Sequence, residues 1–171
     1  GVVFENQTLI EDYLFNCKVF DKASSLSLVD GCIYHYIKFL TDALTQRYLP
    51  DYFEIMNKRY ALMKDMFERG GLFEGENREI ISNMHIKHIV SGFVKNCSEK
   101  SGLSSSEQKQ VIKSMLSDES CLQAMKHAKG QRKQEILCNA VFSTKSVFLN
   151  FTLAKVLYKM HHGQTFYDYD A

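Results

Sequence analysis

The chain has 171 residues, of which 45% are apolar and 24% charged, with a formal net charge of +1. That length can bury a real core, the composition is ordinary for a globular protein rather than a disordered one, and so small a net charge sets up no global field toward nucleic acid or an acidic membrane. One proline and nine glycines are too few to punctuate a many-stranded β-fold, and no stretch nears the roughly 18 to 20 unbroken apolar residues of a membrane span.

Helix signals recur along the chain. Thr8-Leu9-Ile10-Glu11 reads as a capping box, in which hydroxyl and carboxylate satisfy each other's orphan backbone N–H groups. It opens a helix with Ile10, Tyr13, Leu14 and Cys17 at helical spacing. A second helix is predicted from Ser27 and Asp30, carrying Cys32, Ile33, Tyr36, Leu40, Ala43 and Leu44, and stopped by Pro50. A third is predicted over 51–69, with Phe53, Met56, Tyr60, Met63 and Phe67 as its stripe and Gly70-Gly71 as its end. The fourth follows Glu76 and should bury Ile86, Ile89, Val90, Phe93 and Cys97.

Ser104 to Glu107 is a second capping box, opening a short helix through Val111, Ile112 and Met115. Ser117 is the expected cap of another, ending at Gly130. The last helix is predicted from Gln131 to His161, with a bend at Ser143-Thr144 and a stop at Gly163. Together these elements predict an all-α fold: an irregular antiparallel bundle of five to seven helices around a single core. One domain is expected over 1–171, with a short flexible C-terminal tail at 164–171 whose tyrosines and acids resemble a recognition or tyrosine-sulfation segment.

Motifs for catalysis do not appear. There is no nucleophile elbow, Walker loop, dinucleotide fingerprint or HExxH. A di-iron bundle needs Glu three residues before His, and none of the six histidines has it. The expectation is therefore no enzyme, no cofactor and no metal. His85 and His88 could share an ion, but without a third ligand they read as an exposed or half-buried pair, and His161-His162 as structural.

The densest basic run holds Lys126, Lys129, Arg132 and Lys133 where a helix should begin, which makes it a candidate anion site. Sulfated glycans are the polymeric partner it suggests. Nucleic acid is not expected, because the run carries no aromatic platform for bases. Met56, Met63, Met66, Met84, Met115 and Met125, with twelve phenylalanines, could line a site for an apolar small molecule between helices.

Three sequons, at Asn6, Asn96 and Asn150, point to glycosylation in a secretory pathway. Cys17, Cys32, Cys97, Cys121 and Cys138 all fall on or beside apolar helix faces, where disulfides can form, and Cys121 to Cys138 is the favoured pair. The functional expectation is a secreted, extracellular, non-enzymatic binding or effector protein of cytokine-like, carrier or salivary-inhibitor type. It would act by occupying a protein partner or an apolar small ligand. The alternative is an intracellular (cytoplasmic) or viral interaction domain with reduced cysteines.

Overall fold

The structure is a computed structural model that describes residues 1–6, 9–31 and 48–160. It divides into two compact units, Gly1–Arg47 and Tyr48–Ala171. Among the described residues every regular element is helical, with seven α-helices and no strand. The predicted second helix falls largely on 32–47, outside the described residues, and so do Cys32, Thr8, His161, His162 and the tail at 164–171.

The first unit contains α1, Glu11–Phe20. Its entry residue is Ile10 at φ 62°, with no side-chain cap on the helix. Leu14 is buried on α1, Phe4 stacks on Phe15 with centroids 4.2 Å apart, and Lys18 pairs with Glu5 at 2.6 Å.

The second unit holds α2 (Tyr52–Arg69), α3 (Gly75–Asn96), α4 (Ser105–Leu116), α5 (Glu119–Met125), α6 (Lys133–Ser143) and α7 (Val147–Met160), with a 3-10 turn at Glu99–Ser101. Helix α3 is the axis of this unit and touches each of the other five. Residues 88–94 of α3 are all buried. Seven consecutive residues cover nearly two turns, so this stretch is enclosed on every side rather than along one stripe. Ile89, Phe93, Ile112, Phe142 and Ala154 form the centre of the core.

Gly92 explains how α2 comes so close. A Cβ there would lie 2.5 Å from Phe53 Cε1 and 2.9 Å from Tyr52 Cε1.

The Ser104–Glu107 capping box forms as its sequence implies, with Glu107 Oε2 accepting from the Ser104 backbone N–H at 2.8 Å. Two boundaries differ from expectation. Asp118 rather than Ser117 caps α5, accepting from the Ser120 and Cys121 backbone N–H groups, while Ser117 Oγ donates back to Lys113 O. The carboxylate wins because a charged acceptor makes the stronger hydrogen bond.

The expected single last helix is two. Beyond Thr144, Lys145 adopts φ 53°, and α7 starts afresh at Val147. Ser143 and Thr144 hydroxyls donate to the carbonyls of Ala140 and Val141, each at 2.7 Å, and close off α6.

Candidate functional site

The basic loop does not assemble the expected anion site. At the start of α6, Glu135 Oε2 already accepts from the Gln131 and Arg132 backbone N–H groups at 2.9 and 3.3 Å. The Gly130 N–H donates to Asn83 Oδ1 at 2.9 Å. A side-chain carboxylate and an amide thus hold the donors that an external anion needs. The cations also disperse: Lys129 pairs with Glu79 at 2.8 Å, Lys133 begins α6, and Lys126 faces a cleft beside α2. Gly130 itself is obligatory, with φ 74° and a Cβ position only 2.8 Å from the Ile136 backbone nitrogen.

His85 and His88 are both buried, and they serve different neighbours. His88 Nε2 lies 3.0 Å from Arg59 Nη1. A guanidinium only donates, so this nitrogen is the bare acceptor of a neutral ring. Burial first, and then the charge of Arg59, holds the His88 pKa well below its usual value. His85 stacks on Tyr60 with centroids 4.2 Å apart, and burial brings its pKa down to about 4 despite the nearby Asp118.

Asp118 joins three helices. It caps α5, accepts from Asn57 Nδ2 of α2 at 3.2 Å, and takes the Ser120 hydroxyl proton, while Ser120 Oγ sits 3.3 Å from His85 Nε2 of α3. The serine, histidine and aspartate are connected in the wrong order for nucleophilic catalysis. Ser120 gives its one proton to the carboxylate and so accepts from His85, whose Nδ1 is buried without a partner. The arrangement fastens helices and leaves Ser120 unactivated. Among the described residues, no group of three His, Cys, Asp or Glu side chains converges as metal ligands do.

Cys17, Cys97, Cys121 and Cys138 are free thiols. The favoured Cys121 to Cys138 bridge does not form, because the two cysteines meet α3 on different sides. Cys121 Sγ lies 3.9 Å from His85 Nε2, whereas Cys138 shares a groove with Ile86 and Val90. Successive residues on a helix point about 100° apart. Burial raises the thiol pKa to about 12 at Cys121 and about 11 at Cys97 and Cys138, so none is a ready nucleophile.

Two of the three glycosylation candidates are corrected by burial. Asn96 is 1% exposed and donates to Gln108 O, and Asn150 is 2% exposed and donates to Val141 O and Ser146 O. A glycan needs an amide nitrogen in solvent. Only Asn6, in the first unit, is exposed.

Two other surfaces are candidates for binding. A groove of about 280 Å³ opens between α3 and α6, with Ile80, Met84, Ile86, Val90 and Cys138 as apolar lining and Asn83, Lys87, Gln131, Glu135 and Asn139 as polar lining. Of the six methionines proposed to line a ligand site, only Met84 reaches it, while Met56 and Met115 are buried in packing between helices.

The second surface is the outer face of α7. Its inner face buries Asn150, Ala154 and Leu157, yet Phe148 (68% exposed), Leu149, Val156 and Met160 (63%) face out. Leu149, the half-buried Leu153, Val156 and Met160 follow one another at four-, three- and four-residue steps. That is the spacing of a helix–helix seam. The placement of Ala154 and Leu157 shows which side of α7 is left over.

Compared with known proteins, the chain matches no family model, no curated protein and no solved structure. No described helix is long and apolar enough to cross a membrane.

Proposed function

We propose that this chain is a non-enzymatic binding protein that occupies a protein partner through the outer face of α7. The observation behind this is the exposed Leu149, Val156 and Met160, continued by the half-buried Leu153 and with Phe148 at the edge. Exposed apolar patches of this kind mark interaction sites. The occupant that fits is an amphipathic helix flanked by carboxylates, because α7 carries exposed Lys159 and no acidic residue, with exposed Lys145 just before it, while Lys155 is held on Cys97 O at 3.1 Å.

A photo-crosslinking residue in place of exposed Thr152 tests this in the protein's native setting. The reading expects adducts to an acid-flanked helix of another protein, lost when Val156→Glu is added. Adducts confined to the same chain, to a second copy or to lipid would overturn it.

A second reading rests on the α3–α6 groove. At about 280 Å³ it exceeds the roughly 150 Å³ engineered cavity that takes up benzene. It suits a small apolar molecule with one polar end. Saturable quenching or enhancement of a dye such as anilinonaphthalene sulfonate, removed by Val90→Lys, supports that reading. Unsaturable or unaltered dye binding removes it.

For location, burial of Asn96 and Asn150 takes away two supports for secretion, and three cysteines pack singly as small hydrophobes. We propose a reducing compartment, with the described cysteines as thiols, as the location these two features favour. The exposed Asn6 sequon supports the secreted reading, and a glycan found there would restore it.

A further inference from the structure

A cleft of about 600 Å³ opens in the second unit, away from both surfaces above. Its walls are the later turns of α2 (Tyr60, Lys64, Glu68), the Gly71–Glu74 connection, Arg78 on α3, and Gln123, Lys126 and His127 at the end of α5. The charges on these walls separate. Lys64 Nζ is held by Gln123 Oε1 at 3.1 Å and Glu68 Oε1 at 3.7 Å, which neutralises one side. Arg78 and Lys126 pair with no carboxylate among the described residues, and Glu74 is the one acid on the lining left to face them. Both cations act on His127: after desolvation, the charges of Arg78 and Lys126 lower its pKa. Two unpaired cations and an imidazole therefore line one cleft together with Phe73 and the edge of Tyr60, whose ring is otherwise buried against His85.

We propose that this cleft binds a small phosphate or sulfate monoester, with its oxyanion on Arg78, Lys126 and His127 and a ring-sized organic body against Phe73 and Tyr60. A guanidinium and an ammonium offer the forked and point donors that such oxyanions take. The volume suits one ring with its ester group. A polyanion fits worse, because the positive track does not continue: Lys129 is already paired with Glu79. The site thus takes over Lys126 from the predicted basic run and joins it to Arg78, a residue 48 positions earlier.

Titration calorimetry of the full chain with phenyl phosphate and phenyl sulfate, at fixed low salt and neutral pH, tests the proposal. Both esters should bind, and more tightly than inorganic phosphate. The double variant Arg78→Gln, Lys126→Gln should weaken binding about tenfold or more. Lys129→Gln with Lys133→Gln should leave it unchanged. On the unaltered protein, saturation with phenyl phosphate should move the His127 ring titration upward, since a bound dianion favours the imidazolium. Absence of ester binding, equal binding by the double variant, a silent His127, or binding of heparin in preference to the phenyl esters would each overturn it.

Discussion

The Asn150 side chain reaches across the break between α6 and α7, donating from Nδ2 to Val141 O at 3.2 Å and to Ser146 O at 3.0 Å. Val141 lies in the last turn of α6, where carbonyls lose their intrahelical partners. One buried amide on α7 therefore fixes the angle at which the second helix leaves the first.

Replacing Asn150 tests that role. Asn150→Ala loses the two donated bonds, while Thr144 still serves Val141 O, so the cost should be about 1 kcal/mol. Asn150→Asp should cost more, about 1–3 kcal/mol, because it places a buried acceptor against two carbonyls. Urea midpoints of the two variants check the order. A harmless Asp would show that the amide is not what holds the break.

Gly92 offers a test of packing. Its missing Cβ is where the Phe53 and Tyr52 rings lie, at 2.5 and 2.9 Å from the ideal position. Gly92→Ala should raise local helix propensity and yet destabilise the protein by about 1–3 kcal/mol, since the rings of α2 must shift. An unchanged or raised melting temperature would mean that α2 yields without strain.

Much of the fold was legible because its signals are local. Gly70-Gly71 and the Ser104–Glu107 capping box state their chemistry within four residues, and the α2 and α4 boundaries follow from them. The missed features depend on partners distant in sequence. Nothing near Arg78 in the chain announces Lys126, and the sequon at Asn150 does not reveal that its amide serves Val141. The second half of α3 carries Ser91, Gly92 and His88 among its apolar residues, and such a mixture reads as amphipathic. Its enclosure on all sides appears only when five helices are packed around it.

Acid should loosen the bundle through His85 and His88. Both have folded pKa values below the usual histidine value, His85 at about 4, and both because of burial. Above about pH 6.5 they are neutral in folded and unfolded chains alike and contribute no pH dependence. Below it the unfolded chain takes up protons that the folded one refuses, so stability falls as pH drops from about 6.5 toward 4. For His85 alone the loss should approach about 3 kcal/mol at the bottom of that window. The groups facing the pair are Tyr60, Asp118, Cys121, Arg59, Lys87 and Lys95. Of these only Asp118 opposes the trend. Denaturant unfolding at pH 7.5 and pH 5 measures the effect, and equal free energies would show that the imidazoles reach water. His85→Gln should flatten the slope without abolishing it, as His88 remains.

The cysteines provide the test that bears on location. Cys97, Cys121 and Cys138 are buried with raised thiol pKa values, whereas Cys17 is only half-buried. Alkylation requires both access and thiolate. In the native protein at pH 8, Cys17 should therefore react first among these four, and the other three should react at rates set by opening of the second unit. Acidification changes that rate in two opposing ways, with fewer thiolates but more frequent opening as His85 and His88 charge, so the comparison belongs at one pH. In denaturant without reductant all four should label, and intact-mass measurement counts them directly. Cys32 lies outside the described residues, and the same spectrum reports on it. Four or five labelled cysteines on protein taken from its natural source agree with a reducing compartment. Two bridges, leaving one labelled thiol, would support the secreted reading and require at least one of Cys121 and Cys138 to find a partner.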